Sequence, residues 1–308
     1  MATEFLHNPK PSITIFSPAF NRADTLHLCY ESLLRQTSRD FRWLVVDDGS
    51  SDSTRELIAG WIAEDKIPIT YHYQDNGGMH SAHNAAYRLI DTELNVCIDS
   101  DDYLADNAVE LILEKWRSEG SEKYAGLIGL DAKFDGTLIG TRFDTPTTTL
   151  SGFYMRGGKG DKKLVYRTSV IKSVPEYPCF EGEKYVGLGY KYQLIDLDYE
   201  LLTMNEVLCL VNYQADGSSV NMYKQYFRNP RGFSFIRKEA MQHHPSGKRR
   251  FIEAIHYVSS SIICRNGKFL SESPRKLITV LAVPFGTLLY LYLYTQYRRD
   301  KVMKPQNG

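Results

Sequence analysis

The 308 residues carry 37 Lys and Arg against 37 Asp and Glu, with 43% hydrophobic and 12% aromatic content. That is enough apolar material to bury a full core, as one large domain with an appendage or as two modest domains. The balanced charge excludes a general polyanion-binding field, so no nucleic-acid partner is expected and any anion must be gripped locally.

The N-terminal stretch MATEFLHNPKPS lacks a basic run followed by an apolar core, so no secretory leader is expected and the first element should begin near Ile13. From Ile13 to Leu130, short apolar runs alternate with amphipathic helical stretches, the pattern of βαβ units in a mostly parallel sheet. Strands are expected at Ile13 to Ser17, Arg42 to Asp47, Ile69 to Gln74, Asn95 to Ile98 and Tyr124 to Leu130. Asp24 is the expected cap of the first helix, and Ser53 or Thr54 opens the second. Residues 131 to 150 are polar and turn-rich, which predicts a hairpin or insertion in place of another βαβ repeat. Residues 160 to 220 mix short strands and loops. Residues 222 to 265 are expected to be helical, with interruptions at Pro230 and HHPSG.

Leu277 to Tyr294 carries no charge and lies between Arg275-Lys276 and Arg298-Arg299. As a helix it would reach roughly 27 Å, just short of a hydrocarbon core of roughly 30 Å, and Pro284 and Gly286 weaken its middle. Tyr290, Tyr292 and Tyr294 suit a headgroup interface, so a monotopic or re-entrant segment is expected at least as much as a span. A buried core helix is the alternative. The five cysteines (Cys29, Cys97, Cys179, Cys209, Cys264) show no CxxC spacing and fit small hydrophobes in a reducing compartment.

In an open parallel sheet, ligands bind beyond the carboxyl ends of the strands. Strand one runs into Ser17-Pro18-Ala19-Phe20-Asn21-Arg22, strand two into Asp47-Asp48-Gly49-Ser50, and the strand at Asn95 to Ile98 into Asp99-Ser100-Asp101-Asp102. DDGS alone is an ordinary solvated turn. Three carboxylates within four residues repel one another unless a cation or hydrogen-bond donors compensate them. A divalent metal is the simplest compensation; Mg2+ and Mn2+ complete such shells with water and substrate phosphates, which points to a diphosphate ligand. The segment Asp75 to Asn84 leads into a helix, and its glycines let backbone N–H groups approach an anion. A plain Ser81-capped helix, with His80 and His83 on the surface, explains the same residues.

In this order and spacing, SPAFNR, VVDDGSSD, QDNGGMHSAHNAA and CIDSDDYL resemble the nucleotide-binding half of family 2 glycosyltransferases over residues 12 to 130. GDKKLVYRTSVIK, FEGEKYVGLGYKY, NEVLCLVNYQADGSS and NPRG at 229 to 232 resemble a bacterial subgroup acting on cell-surface polysaccharides. The resemblance implies an α/β GT-A (nucleotide-diphospho-sugar transferase) fold, a mostly parallel central sheet flanked by helices. The catalytic domain would span 1 to 220, with a nucleotide-sugar half at 12 to 130 and an acceptor half at 131 to 220. A helical, membrane-associating extension would occupy 221 to 308. By the same resemblance Pro18, Phe20, Arg22 and Asp48 would hold the nucleotide base and its phosphate edge, which favours a uridine nucleotide. Asn76, Gly77, Gly78, His83 and Asn84 would line the ribose and sugar-phosphate side. Asp99, Ser100, Asp101 and Asp102 would serve ribose, donor sugar and Mn2+ or Mg2+, with Asp101 and Asp102 on the ion.

The implied reaction is an inverting transfer to a hydroxyl of a glycan or polyprenyl-linked acceptor, at the cytoplasmic face of a membrane. Many relatives carry Glu-Asp about four residues after a GEKF-like run; this chain has Val186-Gly187-Leu188-Gly189 there. Glu183, Glu181 and Asp161 are the candidate bases. No QxxRW motif is present, which implies a single transfer and not processive synthesis. The missing Glu-Asp also motivates an alternative, a nucleotide-sugar-binding scaffold without catalysis. A dinucleotide-dependent oxidoreductase is disfavoured because SPAFNR replaces the glycine framework after strand one. A nucleotidyltransferase lacks its glycine-rich, lysine-containing loop there.

Overall fold

The computed structural model describes residues 10–211, 222–244 and 246–303, with residues 300–303 as backbone alone. These residues form two compact units: 10–76, 82–175 and 195–211 in one, and 77–81, 176–194 and 222–303 in the other. The division expected at 220 is thus crossed by two short segments that join the later helices.

The first unit is a nine-stranded sheet. Its elements are β1 (Ile13–Ala19), α1 (Leu26–Leu34), β2 (Phe41–Asp47), α2 (Thr54–Glu64), β3 (Ile69–Tyr73), α3 (Met79–Leu89, whose first three residues belong to the other unit), β4 (Leu94–Cys97), β5 (Tyr103–Leu104) and α4 (Ala108–Glu119). They continue with β6 (Tyr124–Lys133), β7 (Thr147–Thr148), α5 (Leu150–Met155), β8 (Lys162–Arg167), α6 (Thr168–Ser173) and β9 (Glu200–Val211). The order is β3-β2-β1-β4-β8-β6-β9-β5, with β7 on β9. The first four strands are parallel, β8 runs against both its neighbours, and β6 and β9 are parallel.

All seven residues of β1 are buried, as a central strand covered on both faces requires, whereas the edge strand β3 has none fully buried. Trp43 of β2, Tyr30 of α1 and Trp61 of α2 stack beneath the sheet, with Tyr30 and Trp61 ring centres 4.3 Å apart. Trp43 Nε1 donates to Ser17 Oγ at 3.1 Å, so the buried indole is satisfied. Pro18 sits inside β1 without cost for a geometric reason. Phe16 O accepts from Ile98 N and Ala19 O from Asp48 N, so Pro18, in phase with Phe16, turns its missing N–H to the side where β4 has ended. After β1 and β2 the chain reverses to place β4 on the other side of β1, and this switch opens a crevice beyond the carboxyl ends. The expected insertion is a short turn at 133–137, with Ala132 bridging Leu138, followed by β7 and α5.

The second unit holds α7 (Gly189–Ile195, whose last residue belongs to the first unit), α8 (Met222–Arg228), α9 (Pro230–His243), α10 (Gly247–Ile263), α11 (Phe269–Glu272) and α12 (Lys276–Met303). Pro230 opens α9 at its first turn, where a missing N–H is harmless. Contrary to the re-entrant expectation, α12 is one continuous helix through Pro284, about 42 Å long. Tertiary packing holds it: Met241, Ala254, Tyr257, Val258 and Ala282 form a fully buried cluster. Gly286 marks the closest approach, since a Cβ there would lie 2.7 Å from Ile255 O.

Under this cluster Glu253 accepts from Arg237 at 2.8 Å and pairs with Arg249 at 3.1 Å. Neighbouring His256 is pushed down to about 4, by burial first and then by Arg237 and Arg249, with Glu253 opposing them. A folded pKa below the unfolded value of about 6.5 means the stabilisation is present above that pH and lost as pH falls towards 4. His256→Gln should therefore flatten the loss of thermal stability between about pH 6.5 and 4 relative to wild type, read by parallel melts across that range.

Candidate donor and metal site

The β1 and β2 loops are sewn together. Asn21, at φ +52, donates its N–H to Ser50 Oγ at 2.9 Å and accepts from Ser51 N at 2.8 Å through Oδ1. Arg22 N donates to Thr54 Oγ1 at 3.0 Å. Asp52 accepts from Ala23 N at 3.0 Å and from Thr54 N and Oγ1 at 3.1 and 2.6 Å. Burial works to raise the Asp52 carboxyl, but these bonds outweigh it and hold it below the usual carboxylate range. The start of α2 is thus served by Asp52; Ser53 stands at the cap position without a side-chain bond, and at α1 Thr25, in place of Asp24, stands at the cap position also without one. Asp47 is structural, accepting from Ser50 N at 2.8 Å and Tyr71 OH at 2.7 Å. Asp48 is 4% exposed and accepts from Gln74 at 2.7 Å. Gly49, at φ +83, leaves no room for a side chain, because a Cβ would lie 2.7 Å from Asn76 N.

The acidic turn is pinned from three directions. Arg22 Nε donates to Ser100 Oγ at 3.1 Å. The Cys29 Sγ lies 3.1 and 3.0 Å from Asp99 O and Asp102 O, and its one proton is shared between them. Burial pushes that thiol up, and Cys209, Asp102 and Asp99 push it further, so it keeps the proton it donates. Asp102 N closes the turn on Asp99 O at 3.0 Å. Asp99 is exposed, Asp101 is half-buried and Asp102 is 4% exposed. Asp99 and Asp101 are thus more exposed than Asp102, the residue expected with Asp101 on the ion. Among the described residues no three His, Cys, Asp or Glu groups stand together as a complete ion cage. The turn fits instead a Mg2+ or Mn2+ ion that takes one or two carboxylates and draws its other ligands from a diphosphate and water.

Of the other expected residues, Pro18 is buried in β1 while Phe20 is 46% exposed and Arg22 is exposed at the crevice. His83 and Asn84 are 1% and 4% exposed, with the His83 ring 5.2 Å from Phe16 and 5.8 Å from Tyr87. Neither His80 nor His83 is a surface residue. Asn76 is half-buried beside Gly49. A groove of about 800 Å3, lined by residues such as Lys10, Ser12, Arg39 and Thr70, lies at the opposite end of β1 to β3 and contains none of the expected residues.

Gly77 and Gly78 belong to the second unit, where Gly78, at φ +90, abuts the Lys184 carbonyl; a Cβ would overlap it. In that unit 182–185 is clamped by NPRG: Asn229 Oδ1 accepts from Lys184 N at 2.7 Å, and a side chain at 232 would overlap Tyr185 O. Glu183 accepts from Arg231 N and Nε, each at 3.0 Å, and from Gly232 N at 2.9 Å, so its 6%-exposed carboxylate caps α9. Glu181 is exposed and receives Arg231 on its backbone carbonyl. Asp161 is exposed in the first unit, close enough to Asp131 to raise its carboxyl. Asp52, Cys29 and the cap made by Glu183 escaped the sequence, since each acts through partners far along the chain.

Residues 14–144 match the family model described as Glycosyl transferase family 2. Over 139 residues the chain is 32% identical to a hyaluronan synthase of Pasteurella multocida, covering 45% of this chain and 14% of that enzyme. S. aureus TarS 1–349, solved in complex with UDP-GlcNAc, superposes with a TM-score of 0.60 at 16% identity, over 88% of this chain and 79% of that one. A mannosyltransferase of Pyrobaculum calidifontis, solved with GDP-Man and Mn2+, gives 0.51 at 15%, over 97% and 82%. At these identities the likeness to the solved structures is one of fold, the GT-A type expected above.

Glu183→Ala should cost about 1–3 kcal/mol in denaturant unfolding, by removing the cap of α9, and leave donor turnover within a few-fold of wild type. Intact stability with turnover reduced by about 100-fold or more would instead assign it the base role.

Proposed function

We propose, from the match of residues 14–144 to the model described as Glycosyl transferase family 2, that the chain transfers a sugar from a nucleotide-diphospho-sugar to a hydroxyl of a glycan or lipid-linked acceptor in polysaccharide synthesis. The observation that carries this reading is the pinned acidic turn, Asp99 to Asp102, beside the sewn β1 and β2 loops at the switch point of the sheet. Arg22 and Asp48 would take the phosphate and base sides of the donor. A uridine donor is our preference, supported by the UDP-GlcNAc complex of TarS. Asp99 and Asp101 would hold Mn2+ or Mg2+, which when bound neutralises charge on the departing diphosphate. Among the three candidate bases Asp161 is favoured, because Glu183 is committed to α9 and Asp161 lies in the unit that carries the acidic turn. Asp161 would take the proton of the acceptor hydroxyl as that oxygen attacks the anomeric carbon from the face opposite the diphosphate. The bond to the diphosphate breaks with its electron pair, and the configuration inverts.

With Mn2+ and a panel of UDP-sugars, the purified chain should show slow donor hydrolysis and transfer in membrane extracts. Asp101→Ala should lower both by on the order of 100-fold or more. Donor binding without either activity would favour the scaffold reading.

We further assign α12 to the membrane surface. Leu277, Leu281, Phe285, Leu288 and Tyr292 recur at helical spacing and are 51–74% exposed, while Thr279, Ala282 and Leu293 on the other side are buried. Spanning would drag the charged flank of α10, with Arg249 and Glu253, towards the hydrocarbon; lying in the plane does not. Tyr223, Phe227, Tyr294 and Tyr297 gather at the C-terminal half as an interfacial cluster. The chain should float with anionic phospholipid vesicles and be released by alkaline carbonate. A variant with Leu277, Leu281 and Leu288 changed to Gln should stay in the soluble fraction. Resistance of the wild type to carbonate would contradict an in-plane helix.

A further inference from the structure

Beneath the acidic turn lies a charge that the donor site does not use directly. Lys162 and Lys163 are adjacent on β8, so their side chains take opposite faces of the sheet. Lys162 is saturated: the three N–H groups of its Nζ are shared among the carbonyls of Ile139, Lys159, Gly160 and Asp161. Lys163 is 9% exposed and donates at 3.4 Å to Cys97 O, the last residue of β4 before the turn. The register pairs Lys163 with Gly129 of β6 and, one layer deeper on the same face, Val165 with Leu127 in the main core. Asp131 follows Gly129 on that face, is 3% exposed, and its Oδ1 is buried without a hydrogen-bond partner.

Two opposite charges therefore stand on adjacent strands at the top of the core, the lysine bonded to Cys97 O two residues before Asp99. Burial works against the Lys163 ammonium, but Cys209, Asp131, Asp99 and Asp102 outweigh it and hold the proton on. Asp131 is pushed up to about 6, by burial first; Lys163 opposes the shift and Asp161 and Asp99 add to it.

We propose that Lys163 is a positioning residue, a built-in cation that offsets the acidic turn from beneath in the metal-free protein, with Asp131 setting how much of its charge the turn feels. The inference rests on the reading of this turn as the metal and donor loop. Three clustered carboxylates need compensation whether or not an ion is bound. Lys163 supplies part of it from a fixed position and, through Cys97 O, anchors the root of the turn. Lysine and metal are then partial substitutes for one another, and their contributions are antagonistic.

This coupling fixes the sign of two variants. Lys163→Met should melt lower without metal, regain more stability than wild type on adding Mn2+, and bind Mn2+ tighter by on the order of tenfold. Asp131→Asn leaves more of the lysine charge uncompensated and should weaken Mn2+ binding by a similar factor. Mn2+ affinity is read by electron paramagnetic resonance titration of the full chain in the presence of UDP, with melts run alongside. Should Lys163→Met fail to fold, Asp131→Asn carries the test with its opposite sign. Unchanged Mn2+ affinity in the folded variants, with wild type binding Mn2+, would overturn the proposal and leave the metal reading standing. Absence of Mn2+ binding in wild type would overturn both.

Discussion

Three carboxylates in four residues repel one another, and the turn that carries them can hold one geometry only if the surrounding chain imposes it. Here the imposition comes from the backbone outward. A protonated thiol on α1 ties the carbonyls of Asp99 and Asp102, Arg22 reaches Ser100 from the β1 loop, and Lys163 holds the carbonyl at the root. With the carbonyls taken up internally, the more exposed carboxylates of the turn are those of Asp99 and Asp101. The other features of the crevice serve the same end: Pro18 leaves the space past β4 free of a ladder bond, and Asp52 locks the β1 loop to the β2 loop.

Much of the first unit was legible because its parallel strands are short, rich in apolar residues and punctuated by polar loops. The five expected strands are each found within three residues at either end, and the helices between them follow. The carboxyl-end loops were legible for the same reason, since a parallel strand points its successor residues at the crevice. What the sequence concealed were roles that depend on distant partners. Asp52 reads as one more polar residue of a turn until its bond to Ala23 is seen. Lys163 reads as half of a Lys-Lys pair, yet the strand sends its two members to opposite faces and gives them different tasks. The acidic cluster reads as demanding a metal as its simplest compensation; on the inference drawn from Lys163, part of the compensation is built in.

The second unit was misread where local rules met tertiary packing. Pro284 and Gly286 ordinarily weaken a helix, but packing on α10 carries α12 straight through, and Gly286 is the residue that lets the two backbones approach. In the sequence Glu183 reads as an acid awaiting a substrate; in the structure it bonds the start of α9, and NPRG is the segment that receives it. Gly78 likewise serves the close passage of residue 184. These residues make a clamp within the helical unit, and the proposed reading therefore takes Asp161 as the base.

The central claim is that the acidic turn and a diphosphate share one divalent ion. Calorimetric titration of the purified chain with UDP, with and without Mn2+, tests it most directly. The account predicts measurable binding of UDP only when Mn2+ is present, and its loss in Asp101→Ala. Binding of equal strength in the presence of a chelator would contradict it.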